Sequence, residues 1–475
     1  MRNKATLYFD LLAALAGAAL PLAFAPLNLF PLAVLSPLLL LWSWHGMTPR
    51  VALRRGYWFG LGLFGIGVSW VYVAIHDFGF TGAPVAFALT AIFVAFLALF
   101  PALQGYVTAH LNQRLALVWH GITFAVLWVM FEWIRSWFLT GFPWLNLGTS
   151  QIDAPLAGYA PLFGSLGVSL LVVLSVAALW QYLPRCSMKG SFVMLAFFGV
   201  WLAGWGLQQV NWSEPVGAPL RVAVVQGNLP QITKWDPDRI VQRMAHYRDL
   251  SEPHWGKQDV IVWPENSLTI LWQDAPAEYR ELLQLRVAQS GTELVLGLPY
   301  GNEETGAYYS SMLVLGGTPG VYHKRHLVPF GEYVPLQSVL RGLIGFFNLP
   351  MSGFSAGDAQ QAHLKVKGQL LAPSICYEDA YGNELIDFLP AATLLINGSN
   401  NAWYGDSFAP HQHLQIARMR ALETGRMLIR ATTSGISALV DQRGKFIARS
   451  PQFETHVLEG EVQPYAGATP YVLSL

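Results

Sequence analysis

Leu371-Ala-Pro-Ser-Ile-Cys-Tyr-Glu-Asp379 is an apolar run that ends abruptly on one thiol flanked by acids. The pattern predicts a buried strand that delivers Cys376 at its carboxyl end, the edge at which α/β folds place reactive groups. A helix is expected to begin near Asp379, and a helix amino terminus favours the thiolate. Cys376 is therefore a candidate nucleophile. Free cysteine is also among the most buried residue types, so a small packed hydrophobe is the competing reading of the same stretch.

On either side the alternation continues. Leu220-Arg-Val-Ala-Val-Val-Gln-Gly227 reads as a strand entering a loop, residues 237–257 as an amphipathic helix, and Asp259-Val-Ile-Val-Trp-Pro-Glu265 as a strand ending on a carboxylate. A helix is predicted over 276–290, a strand over Glu293–Leu298, and two strands flanking Gly316-Gly317. After Cys376 come a helix near 380–389, a strand over Thr393–Asn397, a helix near 410–426 and a β-rich end. Such alternation argues a layered α/β domain.

Upstream of Trp212 the composition changes. The 475-residue chain is 53% hydrophobic and only 12% charged, against about 25% charged in soluble proteins. Of its 58 Lys, Arg, Asp and Glu residues, 13 fall before Ser213. Seven apolar runs there, near 7–27, 30–47, 56–75, 84–108, 115–138, 163–183 and 191–210, approach the ~20 residues that cross a bilayer. The expectation is a membrane α-helical bundle over 1–211 with seven spans, then the α/β domain over 212–470. The Arg2/Lys4 start resembles a signal peptide, but further spans follow, which favours a retained anchor. Arg2, Lys4, Arg50, Arg54, Arg55, Arg114, Arg185 and Lys189 all fall on one side if the amino terminus is cytoplasmic, which puts everything after about Asn211 outside. Cys186 and Cys376 then lie on opposite sides and cannot pair. A lone exported thiol in an oxidising compartment is a liability unless it is used. The formal net charge is zero, so no global basic field argues for nucleic acid.

Three features of the apolar half look functional and have plainer readings. Gly60-Leu-Gly-Leu-Phe-Gly65 has the letters of a dinucleotide-binding fingerprint but sits inside an apolar span, so with Gly56 and Gly67 it reads as close helix packing. Glu132 and Arg135, spaced i,i+3, read as a structural ion pair. Thr140-Gly-Phe-Pro-Trp144 reads as an interfacial turn with an aromatic anchor.

Acyl transfer through a thioester needs a thiolate, a base to take its proton, and a positive donor for the oxyanion. Cys376, Glu265 and Lys324, the last in Tyr322-His-Lys-Arg-His326, fill those roles. The ammonium would lower the thiol pKa and hold developing negative charge. Each also has a plain reading: Glu265 as a turn or cap, Lys324 as a solvated edge residue.

Trp263-Pro-Glu265, the lysine motif and Cys376-Tyr-Glu378, in that order, resemble the Glu-Lys-Cys triad of the nitrilase superfamily, whose fold is an α-β-β-α sandwich. Gln226-Gly-Asn-Leu-Pro-Gln231, Lys234-Trp-Asp236, His326-Leu-Val-Pro-Phe-Gly-Glu-Tyr-Val-Pro335 and Met419-Arg-Ala-Leu-Glu423 narrow this to a resemblance to the membrane-bound apolipoprotein N-acyltransferase family, over nearly the whole chain. That resemblance implies a two-stage reaction at the outer face of the bacterial inner membrane, with the catalytic domain periplasmic. Cys376 would take an acyl chain from a phospholipid, phosphatidylethanolamine being the expected donor. The amine of an S-diacylglyceryl-cysteine at an apolipoprotein's amino terminus would then accept it. By the same resemblance Glu265 is the base, Lys324 the oxyanion stabiliser and Glu332 a second acid; Tyr377 and Glu378 support the nucleophile, and Trp235 and Trp403 are substrate-binding aromatics. The family continues into a final membrane helix, of which 471–475 would be the start. Ser310 and Asn401 stand where the family often has Asn and Asp.

Two lipid substrates explain why such an enzyme would carry membrane spans. Leu336-Gln-Ser-Val-Leu-Arg-Gly-Leu-Ile-Gly-Phe-Phe-Asn-Leu-Pro-Met351 is strongly apolar for an exported loop and reads as an arm that guides acyl chains, with Phe346 and Phe347 as its candidate contacts; a core helix is the plainer reading. The His residues lack ligand spacing, so no metal is expected, nor any cofactor, and a single chain is expected to suffice. The rivals are a membrane-anchored amidase using the same triad with water as acceptor, and a transporter or receptor whose outer domain only binds ligand.

Overall fold

The computed structural model describes residues 4–182, 188–302, 304–333 and 353–474. They form two compact units, Met1–Val210 with Asp406–Gln415, and Asn211–Gly405 with Ile416–Leu475. The expected arm at Leu336–Met351, with Phe346 and Phe347, lies outside the described residues, as does Cys186.

In the first unit, apolar helical segments occupy the positions of the seven apolar runs. Ala83–Asn112, Leu117–Arg135 and Pro155–Tyr182 are each long and apolar enough to cross a membrane, and Pro49–Gly67 with Trp70–Phe78, bent by 53°, makes a fourth if counted as one. Leu7–Ala23, Leu32–Trp44 and Ser191–Leu207 are shorter. Ser191–Leu207 leaves Phe192, Leu195, Phe198, Leu202 and Trp205 more than half exposed. Apolar side chains in that number on one helix suit a hydrocarbon environment, and the chain is membrane-associated.

Glycines let these helices touch backbone to backbone. A Cβ on Gly60 would lie 2.6 Å from the Ala98 Cα, and one on Gly56 would overlap the Pro101 carbonyl, whereas Gly65 faces open space. The fingerprint-like letters are thus largely a packing seam. Trp144, expected as an interfacial anchor, is instead a core residue of this unit. It is 2% exposed, and its Nε1 donates to Gln412 Oε1 at 2.7 Å, an acceptor shared with Trp70 Nε1 at 3.3 Å. Glu132 and Arg135 hold the same turn: Glu132 Oε1 accepts from the Leu147 N–H at 2.8 Å, while Arg135 donates to the Phe142 carbonyl and to Asn146 Oδ1, both at 2.8 Å.

Among its described residues, the second unit contains a two-stranded ribbon, Glu214–Pro215 with Tyr465–Ala466, and twelve further strands in two six-stranded sheets. In chain order they are β1 Leu220–Gln226, β2 Val260–Val262, β3 Glu293–Gly301, β4 Tyr308–Leu315, β5 Gly320–His323, β6 Leu364–Val366, β7 Gln369–Ile375, β8 Leu394–Ser399, β9 Leu428–Thr432, β10 Ala438–Val440, β11 Phe446–Arg449 and β12 His456–Val462. One sheet runs β12-β1-β2-β3-β4-β5, the other β11-β10-β9-β8-β7-β6. Each has three parallel strands, β1-β2-β3 and β7-β8-β9, flanked by antiparallel ones. The runs Val-Ile-Val and Leu-Leu-Ile are buried on both faces, as central strands between layers must be. Tyr247, Met244 and Leu283, from helices Ile240–Ser251 and Ala277–Ser290, close one face of the first sheet. The arrangement is an α-β-β-α sandwich.

Topology then places the chemistry. β3 and β5 are both antiparallel to β4, so β5 runs in the same direction as β2, and the residues that follow β2 and β5 emerge at one edge. Those residues are Glu265 and Lys324. The Trp263 N–H still reaches the Val295 carbonyl at 2.8 Å, but Pro264 has no N–H, and there the ladder ends. Gly297 on β3 lets the departing chain pass: a Cβ there would lie 2.7 Å from the Glu265 Cα. The helix expected to begin near Asp379 is instead a tight 3-10 turn, Cys376–Ala380, followed by the short helix Gly382–Ile386.

Candidate active site

Cys376 is the first residue past β7 and has φ 53°, the left-handed region that a non-glycine side chain enters only under local constraint. Glu378 supplies the constraint. Its Oε2 accepts from the Ile375 N–H at 2.6 Å. Its Oε1 accepts from the Arg325 N–H at 2.6 Å, the His326 N–H at 3.1 Å and the Tyr322 hydroxyl at 2.9 Å. One buried carboxyl thus ties the thiol-bearing strand of the second sheet to the lysine-bearing loop of the first. Burial pushes Glu378 up to about 7, against the pull of Lys324 and of those N–H groups. Tyr377 packs edge-on against Tyr381 and His326.

Lys324 is fully buried, and its ammonium lies 2.7 Å from Glu332 Oε1 and 3.4 Å from Glu265 Oε1. Burial works against the charge, but the two carboxylates outweigh it and hold the lysine well above its ordinary pKa. Glu332 is fixed in turn by the Val328 N–H on its Oε2 at 2.8 Å. Burial, with Glu265 adding, raises its pKa although Lys324 opposes. Glu265 Oε2 accepts from the Asn400 N–H at 2.8 Å, and the same N–H serves the Cys376 thiol. Glu265, Lys324, Glu332 and Cys376 are therefore neighbours in one buried cluster, which the electrostatics of the thiol register directly.

Those electrostatics differ from the sequence expectation in one respect. Burial pushes the thiol pKa far up, Glu265 and Glu332 push further, and Lys324 and the Asn400 N–H only partly offset them. The site as a whole thus disfavours a standing thiolate. Burial is the chief cause, and Lys324 offsets it only partly because it also serves two carboxylates. A thiol in such surroundings can attack only as a base takes its proton, and a carboxylate stands beside it.

The two expected substrate-facing aromatics come together. Trp235 and Trp403 pack with Tyr308 and Tyr333 on the small buried pair Leu327 and Phe354. Ser310, noted as a departure, uses its backbone: its carbonyl accepts the Lys324 N–H at 2.8 Å.

Two residues escaped the sequence reading. Asn400 contributes its main-chain N–H, and its side chain is held by Gln231 and Thr433; nothing but its place after the strand at Thr393–Asn397 signals this. Lys234 is 1% exposed and donates to the Glu265 carbonyl oxygen at 3.2 Å. The string Lys234-Trp-Asp236 contained it, but no spacing argument separates a buried lysine from a solvated one.

The stacked sheets put this unit in the carbon–nitrogen hydrolase class, and the family model described as carbon-nitrogen hydrolase matches residues 221–471. A second model, apolipoprotein N-acyltransferase N-terminal domain, matches residues 16–179. Apolipoprotein N-acyltransferases from Methylococcus capsulatus and Nitrosomonas europaea are each 43% identical to the chain, over 98% of it and 92% and 93% of their own lengths; that of Pseudomonas aeruginosa is 44% identical over 97% and 91%. The chain belongs to the apolipoprotein N-acyltransferase family. Among solved structures, a CN-hydrolase superfamily protein from Xanthomonas campestris aligns at 18% identity and TM-score 0.38, over 52% of this chain and 91% of that one.

Proposed function

We propose that the chain transfers a fatty acyl group from a membrane phospholipid, phosphatidylethanolamine in the first instance, through a thioester on Cys376, to the amine of S-diacylglyceryl-cysteine at an apolipoprotein's amino terminus. The observation that carries this reading is the buried cluster in which Lys324 bridges Glu265 and Glu332 beside the thiol. In the first stage Glu265 takes the thiol proton as Sγ attacks the ester carbonyl, and the Lys324 ammonium faces the oxyanion. The C–O bond breaks, and Glu265 returns the proton to the lysophospholipid oxygen. In the second stage the acceptor amine attacks the thioester, Glu265 takes its proton, and the C–S bond breaks to regenerate the thiol. Glu332 keeps Lys324 charged and oriented, and Glu378 holds the nucleophile's turn. The aromatic group around Trp235 and Trp403 would bind substrate. The charge asymmetry of the loops supports seven spans from a cytoplasmic start, with this site on the periplasmic side of the inner membrane.

The test is mass spectrometry of the purified protein after incubation with phospholipid. An acyl adduct on Cys376 is expected, stable until a diacylated lipopeptide with a free amine is added and slow to discharge to water. Cys376→Ser should give no thioester, and Glu265→Gln should slow adduct formation by about 10²–10⁴-fold, both with unchanged folding. No adduct, or discharge to water as fast as to the amine, would reject the reading, the latter in favour of an amidase.

A further inference from the structure

The site holds a positive group that the two-stage scheme does not use. Lys234 sits in the turn between β1 and helix Ile240–Ser251, completely buried. Its ammonium makes one hydrogen bond, to the main-chain oxygen of Glu265. No carboxylate among the described residues lies within ion-pair distance of it, and a lysine so placed is costly. A fold retains such a group where its charge is wanted.

The charges around it show the want. Glu265, Lys324, Glu332, Cys376, Tyr404 and Arg243 are the titratable groups that face this part of the site from the packed elements. Glu265 and Cys376 favour the Lys234 ammonium and Arg243 opposes it, so the lysine adds positive charge beside the base and the reacting sulfur. Attack on an ester then builds an oxyanion as the thiol proton moves onto Glu265, which concentrates negative charge at the reacting atoms. A cation fixed at this point offsets that charge.

We propose that Lys234 is a second lysine of the acyl-transfer site, a positioning residue that pins the Glu265 main chain and adds positive charge beside Glu265 and Cys376. The assignment rests on Glu265 and Cys376 acting as proposed above. Burial, against the pull of Glu265, brings the Lys234 pKa down to about 7. Its ammonium is therefore present in acid and lost as the pH rises through neutrality. Acylation of Cys376 should accordingly fall with rising pH there, the opposite of what a simple thiol ionisation gives.

The experiment measures the single-turnover rate of Cys376 acylation by phospholipid between pH 5.5 and 9 in the full-length protein, Lys234→Met and Lys234→Arg, with the donor concentration varied. The wild-type rate should decline above about pH 7. Lys234→Met should lose at least tenfold in the rate constant with little change in half-saturation, and show no decline with pH. Lys234→Arg, whose charge does not titrate, should recover part of the rate and keep it at pH 9. A Met variant with the wild-type rate and profile overturns the assignment. If the Met variant does not fold, the wild-type profile decides: a flat or rising rate to pH 9 overturns it, and a decline supports it. The absence of any adduct in the wild type would instead defeat the acyl-transfer reading itself.

Discussion

Glu378 is the residue on which the geometry of the nucleophile depends, because four donors from three segments converge on its two oxygens. Glu378→Leu should leave three backbone N–H groups and the Tyr322 hydroxyl without their acceptor and lower stability by about 3–5 kcal/mol, measured by chemical unfolding in detergent. Tyr322→Phe removes one of the four and should lose about 1 kcal/mol. Equal losses for the two variants would show that Glu378 does not act as a hub. At this scale the sequence reading went as far as residue type and order allow. Cys376, Glu265 and Lys324 each end a readable strand, so their meeting follows from topology. What resisted was electrostatic state, because the thiol's pKa depends first on burial and then on Glu265, Lys324 and Glu332 around it, and no one-dimensional pattern carries that packing. Lys234 resisted for a related reason: burial of a charged side chain is a property of the packed layers around it.

Among the elements, strands were more legible than turns. Val-Ile-Val and Leu-Leu-Ile announce doubly covered strands, and Pro264 marks where β2 must stop. The sequence predicts a helix from near Asp379; the structure first closes the 3-10 turn Cys376–Ala380, which Glu378 holds, and the helix begins at Gly382. Gly297 shows how one element positions another. Gly297→Ala would place a methyl group 2.7 Å from the Glu265 Cα, so either β3 or the base must move. A displacement near 1 Å at the base costs about 10²-fold in rate. The expected result is a folded protein whose Cys376 acylation is slowed by about that factor. Wild-type rates in Gly297→Ala would mean that Glu265 does not need its observed position.

For the molecule as a whole, hydropathy locates apolar runs but not what inserts among them. The bundle was legible because a helix that meets hydrocarbon must be apolar all round, as Phe192, Leu195 and Phe198 illustrate. The place of Asp406–Gln415 was not legible: this segment follows the α/β strands in sequence yet groups with the helical unit, and it is not hydrophobic enough to be read that way. Gln412 explains its place there. Two buried indoles, Trp70 and Trp144, both donate to its side-chain oxygen, so an amide on a polar segment satisfies the aromatic centre of an apolar bundle. Gln412→Leu keeps the volume but removes the acceptor that the two indoles share, and losing a buried acceptor costs about 1–3 kcal/mol. Thermal unfolding in detergent should therefore shift down clearly for Gln412→Leu. Gln412→Glu keeps an acceptor oxygen for the indoles and should lose less despite its charge, since a carboxylate flanked by two indole donors is partly compensated. If Leu is tolerated as well as Gln, the indoles have other acceptors and the segment is held in the bundle by shape alone.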